Sequence, residues 1–146
     1  MTGGTGNDQL FGDGGNDLLF GGDNADILFG GAGIDVLRGN AGNDQLSGGL
    51  GDDRLFGDAG SDNLEGDDGD DFLEGSFGLD VLRGGLGNDR LAGGVGNDEL
   101  FGDDGDDVLD GEENKDTLTG GLGSDRFLRV GIDVLTDFTG IDEIIE

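Results

Sequence analysis

A nine-residue period runs without insertion or deletion from Gly3 to Leu128, and it limits the possible folds of this chain more than any other feature. Self-similarity at a short fixed period marks a solenoid, in which each unit is too small to bury a hydrophobic face alone and has to stack on its neighbours. Fourteen units fit end to end; GGLGNDRLA (Gly84 to Ala92) shows the pattern, and GGTGNDQLF (Gly3 to Phe11) and GGVGNDELF (Gly93 to Phe101) repeat it. Position one is Gly and position six is Asp in every unit, while position eight is Leu in thirteen and Phe127 in the last. Position four is Gly in twelve units and Asn24 or Asn114 in the other two, the exchange expected where the backbone takes a positive φ. The first six residues of a unit therefore read as a tight turn. The last three, x-Leu-x, read as a short strand with its middle residue facing inward. Such a strand cannot stand alone, so two units per coil are predicted, with odd-numbered turns along one edge and even-numbered turns along the other. About seven coils result, spanning roughly 33 Å at about 4.7 Å per coil.

Composition says what could occupy such turns. The formal net charge is −28, with 35 acidic residues against six Arg and one Lys, so self-repulsion is severe and a cationic ligand is expected. Nucleic acid and anionic membranes carry the same sign as the protein and are excluded as partners. Of the acids, 28 are Asp and seven are Glu, and short carboxylates in turns suggest ligation. The chain has no Cys, His, Trp, Tyr or Pro, which removes disulfides, thiolate and imidazole metal sites and the usual nucleophile and base pairs; no enzymatic activity is expected. Met1-Thr2-Gly3-Gly4 leads straight into the repeats with no basic or apolar leader, and no run of about 18 apolar residues occurs. Neither Sec targeting by this N-terminus nor a membrane span is expected.

The repeats resemble those of the RTX (repeats-in-toxin) family, hemolysin-type calcium-binding nonapeptides of the form G-G-x-G-x-D-x-U-x, where U is a large apolar residue. The match covers residues 3 to 128. After it, Asp133, Asp137, Phe138, Gly140, Asp142 and Ile144 fall in a segment similar to the D-x-I-x-D-F-x-x-G-x-D-x-I stretch that follows the last repeat in that family, one residue shorter between Phe138 and Gly140. The resemblance implies an all-β, right-handed parallel β-roll over residues 1–128, with residues 129–146 as a C-terminal capping segment. It implies Ca²⁺ held between turns one coil apart, with the sixth-position Asp bridging neighbouring ions and backbone carbonyls completing each shell. The side-chain ligands would then be Asp8, Asp17, Asp26, Asp35, Asp44, Asp53, Asp62, Asp71, Asp80, Asp89, Asp98, Asp107, Asp116 and Asp125. Pairing each unit with the next but one gives at most twelve complete sites, six per edge. A secreted, extracellular protein exported by a type I apparatus, with an attached effector or adhesion domain as partner, is the context the family implies.

The chemistry agrees, because Ca²⁺ takes six to eight oxygens and stacked Gly-rich turns can offer carboxylate and carbonyl oxygen together. With only two rows of inward residues and many stacked acids, the metal-free chain is expected to be largely unfolded, so that binding and folding are one event. A rigid extracellular spacer or adhesion module is the alternative function. An ice-binding surface has little support, since only Thr5 and Asn7 form a Thr-x-Asn pair, and G-x-G-x-x-G is absent.

Three other positions allow two readings each. Position five holds Asn7, Asn16, Asn43, Asn88, Asn97, Asp52, Asp70 or Asp106, which either support a site or face water; Ala25, Ile34, Leu79 and Lys115 cannot support one, leaving the sites around units three, four, nine and thirteen weaker. Phe11, Phe20, Phe29, Phe56 and Phe101 at position nine form either an aromatic packing ladder or a ligand-binding strip, with Phe11 and Phe29 one coil apart. Phe77, Leu79, Leu86 and Val95 crowd the turns of units nine to eleven, as a docking patch or as ordinary exposed apolar residues.

Overall fold

The computed structural model describes residues 1–128, 133–137 and 142–145; Phe138, Gly140 and Glu146 of the tail lie outside them. Among the described residues there are seventeen strands and no helix. The first two are β1 (Thr2–Thr5) and β2 (Gln9–Phe11). Twelve six-residue strands follow, from β3 (Leu18–Asp23) through β4 (Ile27–Ala32), β5 (Val36–Ala41), β6 (Gln45–Leu50), β7 (Arg54–Ala59), β8 (Asn63–Asp68) and β9 (Phe72–Phe77) to β10 (Val81–Leu86), β11 (Arg90–Val95), β12 (Glu99–Asp104), β13 (Val108–Glu113) and β14 (Thr117–Leu122). The chain closes with β15 (Arg126–Leu128), β16 (Val134–Leu135) and β17 (Glu143–Ile145). Odd-numbered strands build a nine-stranded sheet and even-numbered strands an eight-stranded one, and every pairing is parallel.

Each residue of the repeats pairs with the residue two units on, as in Leu19 with Leu37 and Leu28 with Leu46, so one coil is two units. The molecule is a parallel β-roll of about eight coils. The fourteen units account for seven, and β16 and β17 pair onto β14 and β15 to form the eighth. No helix is long and apolar enough to cross a membrane among the described residues.

The core is a double file. Leu10, Leu19, Leu28, Leu37, Leu46, Leu55, Leu64, Leu73, Leu82, Leu91, Leu100, Leu109, Leu118 and Phe127 are all buried between the two sheets, as the strand's alternation requires of position eight. Leu135 of the eighth coil packs against the end of the file.

The twelve strands β3 to β14 are twice as long as the expected x-Leu-x. Each continues across the unit boundary through positions one to three, and the turn proper is only positions four to six. The reason is stacking: the Gly-rich stretch pairs with its own copy one coil away, as in Gly4 with Gly22 and Thr5 with Asp23, through backbone groups that need no side chain. Position four has the expected positive φ in thirteen units, Gly96 being the exception. Position two has it in all fourteen. There the seven residues with side chains, Asp13, Asn40, Asp58, Asp67, Ser76, Asp103 and Glu112, lie at φ of 69–77°, inside the ordinary left-handed region. Glycines at the same position open to 106–125°.

Candidate metal-binding turns

The sixth residue of each unit ends a turn and precedes the strand that buries the next Leu, so the inward file fixes where its carboxylate sits. Parity divides the fourteen into two rows. Asp8, Asp26, Asp44, Asp62, Asp80, Asp98 and Asp116 run along one edge, and Asp17, Asp35, Asp53, Asp71, Asp89, Asp107 and Asp125 along the other. All from Asp26 onward are at most 3% exposed, while Asp8 and Asp17 on the first coil are half-buried.

Each row is held by one repeated contact. The backbone N–H of every Asp from Asp8 to Asp107 donates to Oδ1 of the Asp one coil later, at 2.7–3.0 Å. The other carboxylate oxygen is different. Oδ2 is buried without a hydrogen-bond partner in Asp8 and in Asp26, Asp35, Asp44, Asp53, Asp62, Asp71, Asp80, Asp89, Asp98, Asp107, Asp116 and Asp125. An ionised carboxylate is strongly destabilising in that condition unless a cation or donor meets it.

Protonation answers the same burial. Burial, reinforced by neighbouring carboxylates in most cases and opposed by the N–H bond from the previous coil, pushes Asp53, Asp98, Asp107 and Asp116 up to about 6 and Asp62, Asp71 and Asp89 up to about 7. Burial likewise raises Asp44, Asp80 and Asp125. A carboxyl whose folded pKa exceeds its unfolded value stabilises the fold fully below the unfolded pKa, near 3.8, and that contribution disappears as pH rises through about 6 to 7. In chelator, then, β-structure followed by circular dichroism is expected to be greater at pH 5 than at pH 8. A pH-independent spectrum in chelator would contradict this burial.

The first-position glycine shapes the space beside each Oδ2. A Cβ on Gly30 would lie 2.5 Å from Asp35 Oδ2 and 2.6 Å from the carbonyl oxygen of Gly48 one coil on; on Gly93 it would lie 2.7 Å from Asp98 Oδ2 and 2.9 Å from Gly111 O. Carboxylate and carbonyl oxygens thus crowd the face of the first-position glycine, so that any side chain there would collide with them. Among the described residues no group of three or more acidic side chains is placed to hold a metal ion, so a shell here has to combine carboxylate with backbone oxygen. That all-oxygen, hard donor set suits Ca²⁺, and softer metals find no nitrogen or sulfur.

Position five has a role that neither reading of it anticipated. Its side-chain oxygen accepts the position-five N–H of the following coil, as in Asn16 with Ile34 at 3.1 Å, Asn43 with Ser61 at 3.0 Å and Asn97 with Lys115 at 3.2 Å. Along the even edge the row is continuous from Asp52 through Asp70, Asn88 and Asp106 to the N–H of Ser124. It runs opposite to the position-six row, whose acceptors belong to the later coil. Ala25, Ile34, Leu79 and Lys115 have no oxygen to offer, so they interrupt this row. An accepting side chain in a Gly-rich turn was the available signal.

On the outer faces, Phe11 and Phe29 stack at 5.1 Å with planes 11° apart, the packing reading of the position-nine aromatics. Phe56 and Phe101 instead each lie under a guanidinium at 4.6 Å, Arg38 and Arg83, whose other contacts are Asp58 and Asp103 at 2.8 Å. The apolar turn residues do not form one patch. Phe77, Leu79 and Val95 share the odd edge, whereas Leu86 belongs to an even-numbered unit and lies on the opposite edge.

The tail contributes three acids that the sequence reading left without a role. Oδ1 of Asp133 accepts the Asp116 N–H at 3.0 Å and Oδ1 of Asp142 accepts the Asp125 N–H at 3.2 Å. Asp137 receives the N–H groups of Gly120 and Gly121 at 2.9 and 2.7 Å.

Compared with known families, the chain matches the model of the RTX calcium-binding nonapeptide repeat in four copies, over residues 2–37, 29–64, 65–100 and 93–127. No curated protein matches it.

Proposed function

The chain belongs to the RTX calcium-binding nonapeptide repeat family, a calcium-binding repeat module by that membership, and from this premise we propose that calcium is the switch that folds it. The observation that carries the reading is the row of buried Oδ2 atoms without partners, thirteen negative oxygens enclosed by a thin fold. Without cations, stacked carboxylates repel one another across each gap. With them, the same oxygens hold adjacent coils together, so binding free energy becomes folding free energy.

The residues that would hold the ions are Asp8, Asp17, Asp26, Asp35, Asp44, Asp53, Asp62, Asp71, Asp80, Asp89, Asp98, Asp107, Asp116 and Asp125, with turn carbonyls such as those of Gly48 and Gly111 beside them. Calcium, when bound, supplies the positive charge and draws carboxylate and carbonyl oxygen into one shell. The protein's part is to align those oxygens, which the inward Leu file and the Asp-to-Asp bonds do. Residues 129–146 act as the cap of the last repeat coil, the role a terminal unit has in a solenoid.

A module that is extended where calcium is scarce and folded where it is abundant suits a protein exported through a narrow type I channel and working outside the cell, attached to an effector or adhesion domain. This role is that of a folding switch, not of a catalyst. Titration of Ca²⁺ into chelator-treated protein, followed by far-ultraviolet circular dichroism with Mg²⁺ as control, is expected to give a steep coil-to-β transition with Ca²⁺ alone. A spectrum that calcium leaves as coil defeats the proposal, and β-structure already complete in chelator at pH 8 would make the roll a constitutive spacer.

A further inference from the structure

We propose that a second copy of this chain docks along the corner between the even edge and the outer face of the odd-numbered sheet, through two rows of side chains that alternate with a period of two coils. The nine-residue period carries a longer one there. Units six, ten and fourteen read GGLGDDRLF (Gly48 to Phe56), GGLGNDRLA (Gly84 to Ala92) and GGLGSDRFL (Gly120 to Leu128), and units eight and twelve between them read GDDGDDFLE (Gly66 to Glu74) and GDDGDDVLD (Gly102 to Asp110). Position three lines up along the even edge as Leu50, Asp68, Leu86, Asp104 and Leu122, each paired in register with the next. Position seven, at the start of the odd-numbered strands, lines up beside it as Arg54, Phe72, Arg90, Val108 and Arg126. Like residues therefore recur about every 9.4 Å, twice the coil spacing of about 4.7 Å.

The single chain leaves these rows unmatched. Leu50, Leu86 and Leu122 are 56%, 53% and 70% exposed, and Asp68 and Asp104 are exposed between them. Arg54 and Arg90 are exposed cations in a chain of 35 acids, yet among the described residues neither forms an ion pair, whereas Arg38, Arg83 and Arg126 pair with Asp58, Asp103 and Glu143. An extended strand repeats a face about every 6.8 Å and loses this step at once, while another roll has it by construction. The two rows are also complementary to each other. A half-turn about an axis parallel to the rolls lays the Leu and Asp row of each copy over the Arg and apolar row of the other. With an offset of one coil, Asp68, Leu86 and Asp104 of one copy meet Arg54, Phe72 and Arg90 of the other. The same offset sets Leu50, Asp68 and Leu86 of the second copy on Phe72, Arg90 and Val108 of the first. Opposite charges and apolar side chains are thus matched together, which fixes both the register and the identity of the partner.

The test is sedimentation velocity on the full-length, calcium-saturated chain at about 0.15 M salt, where exposed charges more than about 8 Å apart are largely screened. The wild type is expected to run as a concentration-dependent dimer. Arg54→Glu with Arg90→Glu makes both rows acidic, and Asp68→Arg with Asp104→Arg makes both basic. Each of these variants is expected to sediment as a monomer with the wild-type circular dichroism, and an equal mixture of the two to restore a species of twice the monomer mass. A monomeric wild type overturns the proposal and leaves the stripe to a partner other than a second copy. So does a dimer that neither variant weakens, or a mixture that stays monomeric while both variants keep their β signal. Should a charge reversal cost the fold, Leu50→Gln with Leu86→Gln decides the matter: dissociation is expected, and a dimer left intact overturns the proposal. The docking depends on the fold and its outer surface and not on which residues hold calcium, so its failure would leave the folding switch standing.

Discussion

Asp71→Asn is expected to raise the calcium concentration at the folding midpoint on the order of tenfold, equivalent to about 1.4 kcal/mol, and Asp8→Asn by much less. Asp71 lies mid-row at 3% exposure; its Oδ1 accepts the Asp53 N–H at 2.7 Å, and its own N–H reaches Asp89 Oδ1 at 2.8 Å. A carboxylate so placed borders a gap on each side, and asparagine preserves the backbone bond while halving neither gap's geometry. Only the charge and the second anionic oxygen are lost. Asp8 sits on the first coil, half-buried, and borders one gap. The measurement is a buffered-calcium titration read by circular dichroism. Equal shifts at the two positions would show that the acids act as bulk charge rather than as ligands. Gly48→Ala is the companion, because its Cβ would lie 2.5 Å from Asp53 Oδ2 and 2.8 Å from Gly66 O without altering any charge. It is expected to weaken calcium binding as Asp53→Asn does.

Leu73→Ala is expected to lower the stability of the calcium-saturated roll by about 2–5 kcal/mol, measured by denaturant unfolding at fixed free calcium. Leu73 is fully buried and pairs in register with Leu55 and Leu91. The file is one residue deep on each sheet, and rigid coils on either side leave little freedom for neighbours to close the cavity. Leu10→Ala, at the open first coil and 4% exposed, is expected to cost less. A loss at Leu73 as small as that of a surface substitution would mean that the position-eight file is not what holds the sheets together.

The parts of this structure that were legible in advance are those written once per period. Position eight named the whole core, and position six named both carboxylate rows, because any solenoid repeats its inward residue and its turn residue in step. Strand length was not legible, since Gly-Gly-x reads as a turn locally and pairs as a strand only when a copy lies beside it. The positive φ at position two was hidden by Asp13, Ser76 and Glu112, whose side chains disguise a backbone that the glycines in that position would have revealed. Parity alone separates Leu86 from Phe77, and proximity in sequence obscured it. The tail's place in the rows was lost because its register is 17 residues and its sequence does not repeat the glycine pattern, although Asp133-Val134-Leu135 keeps the Asp-x-Leu of a unit.

Because one coil is two units, the number of repeats has an odd and an even arithmetic. Losing eighteen residues shortens the roll by one coil and leaves every downstream side chain on its original sheet. Losing nine keeps the inward file and both acidic rows unbroken, since every unit supplies the same residues to them, but transposes the whole downstream surface to the other face. Deleting residues 39–47, for example, would carry Glu65 under Arg38 in place of Phe56. Core and carboxylate rows are therefore indifferent to repeat number, while the outer surface is not. Lineages of such a chain can lengthen or shorten freely in single units wherever the outer faces carry no function, and only in pairs wherever they do.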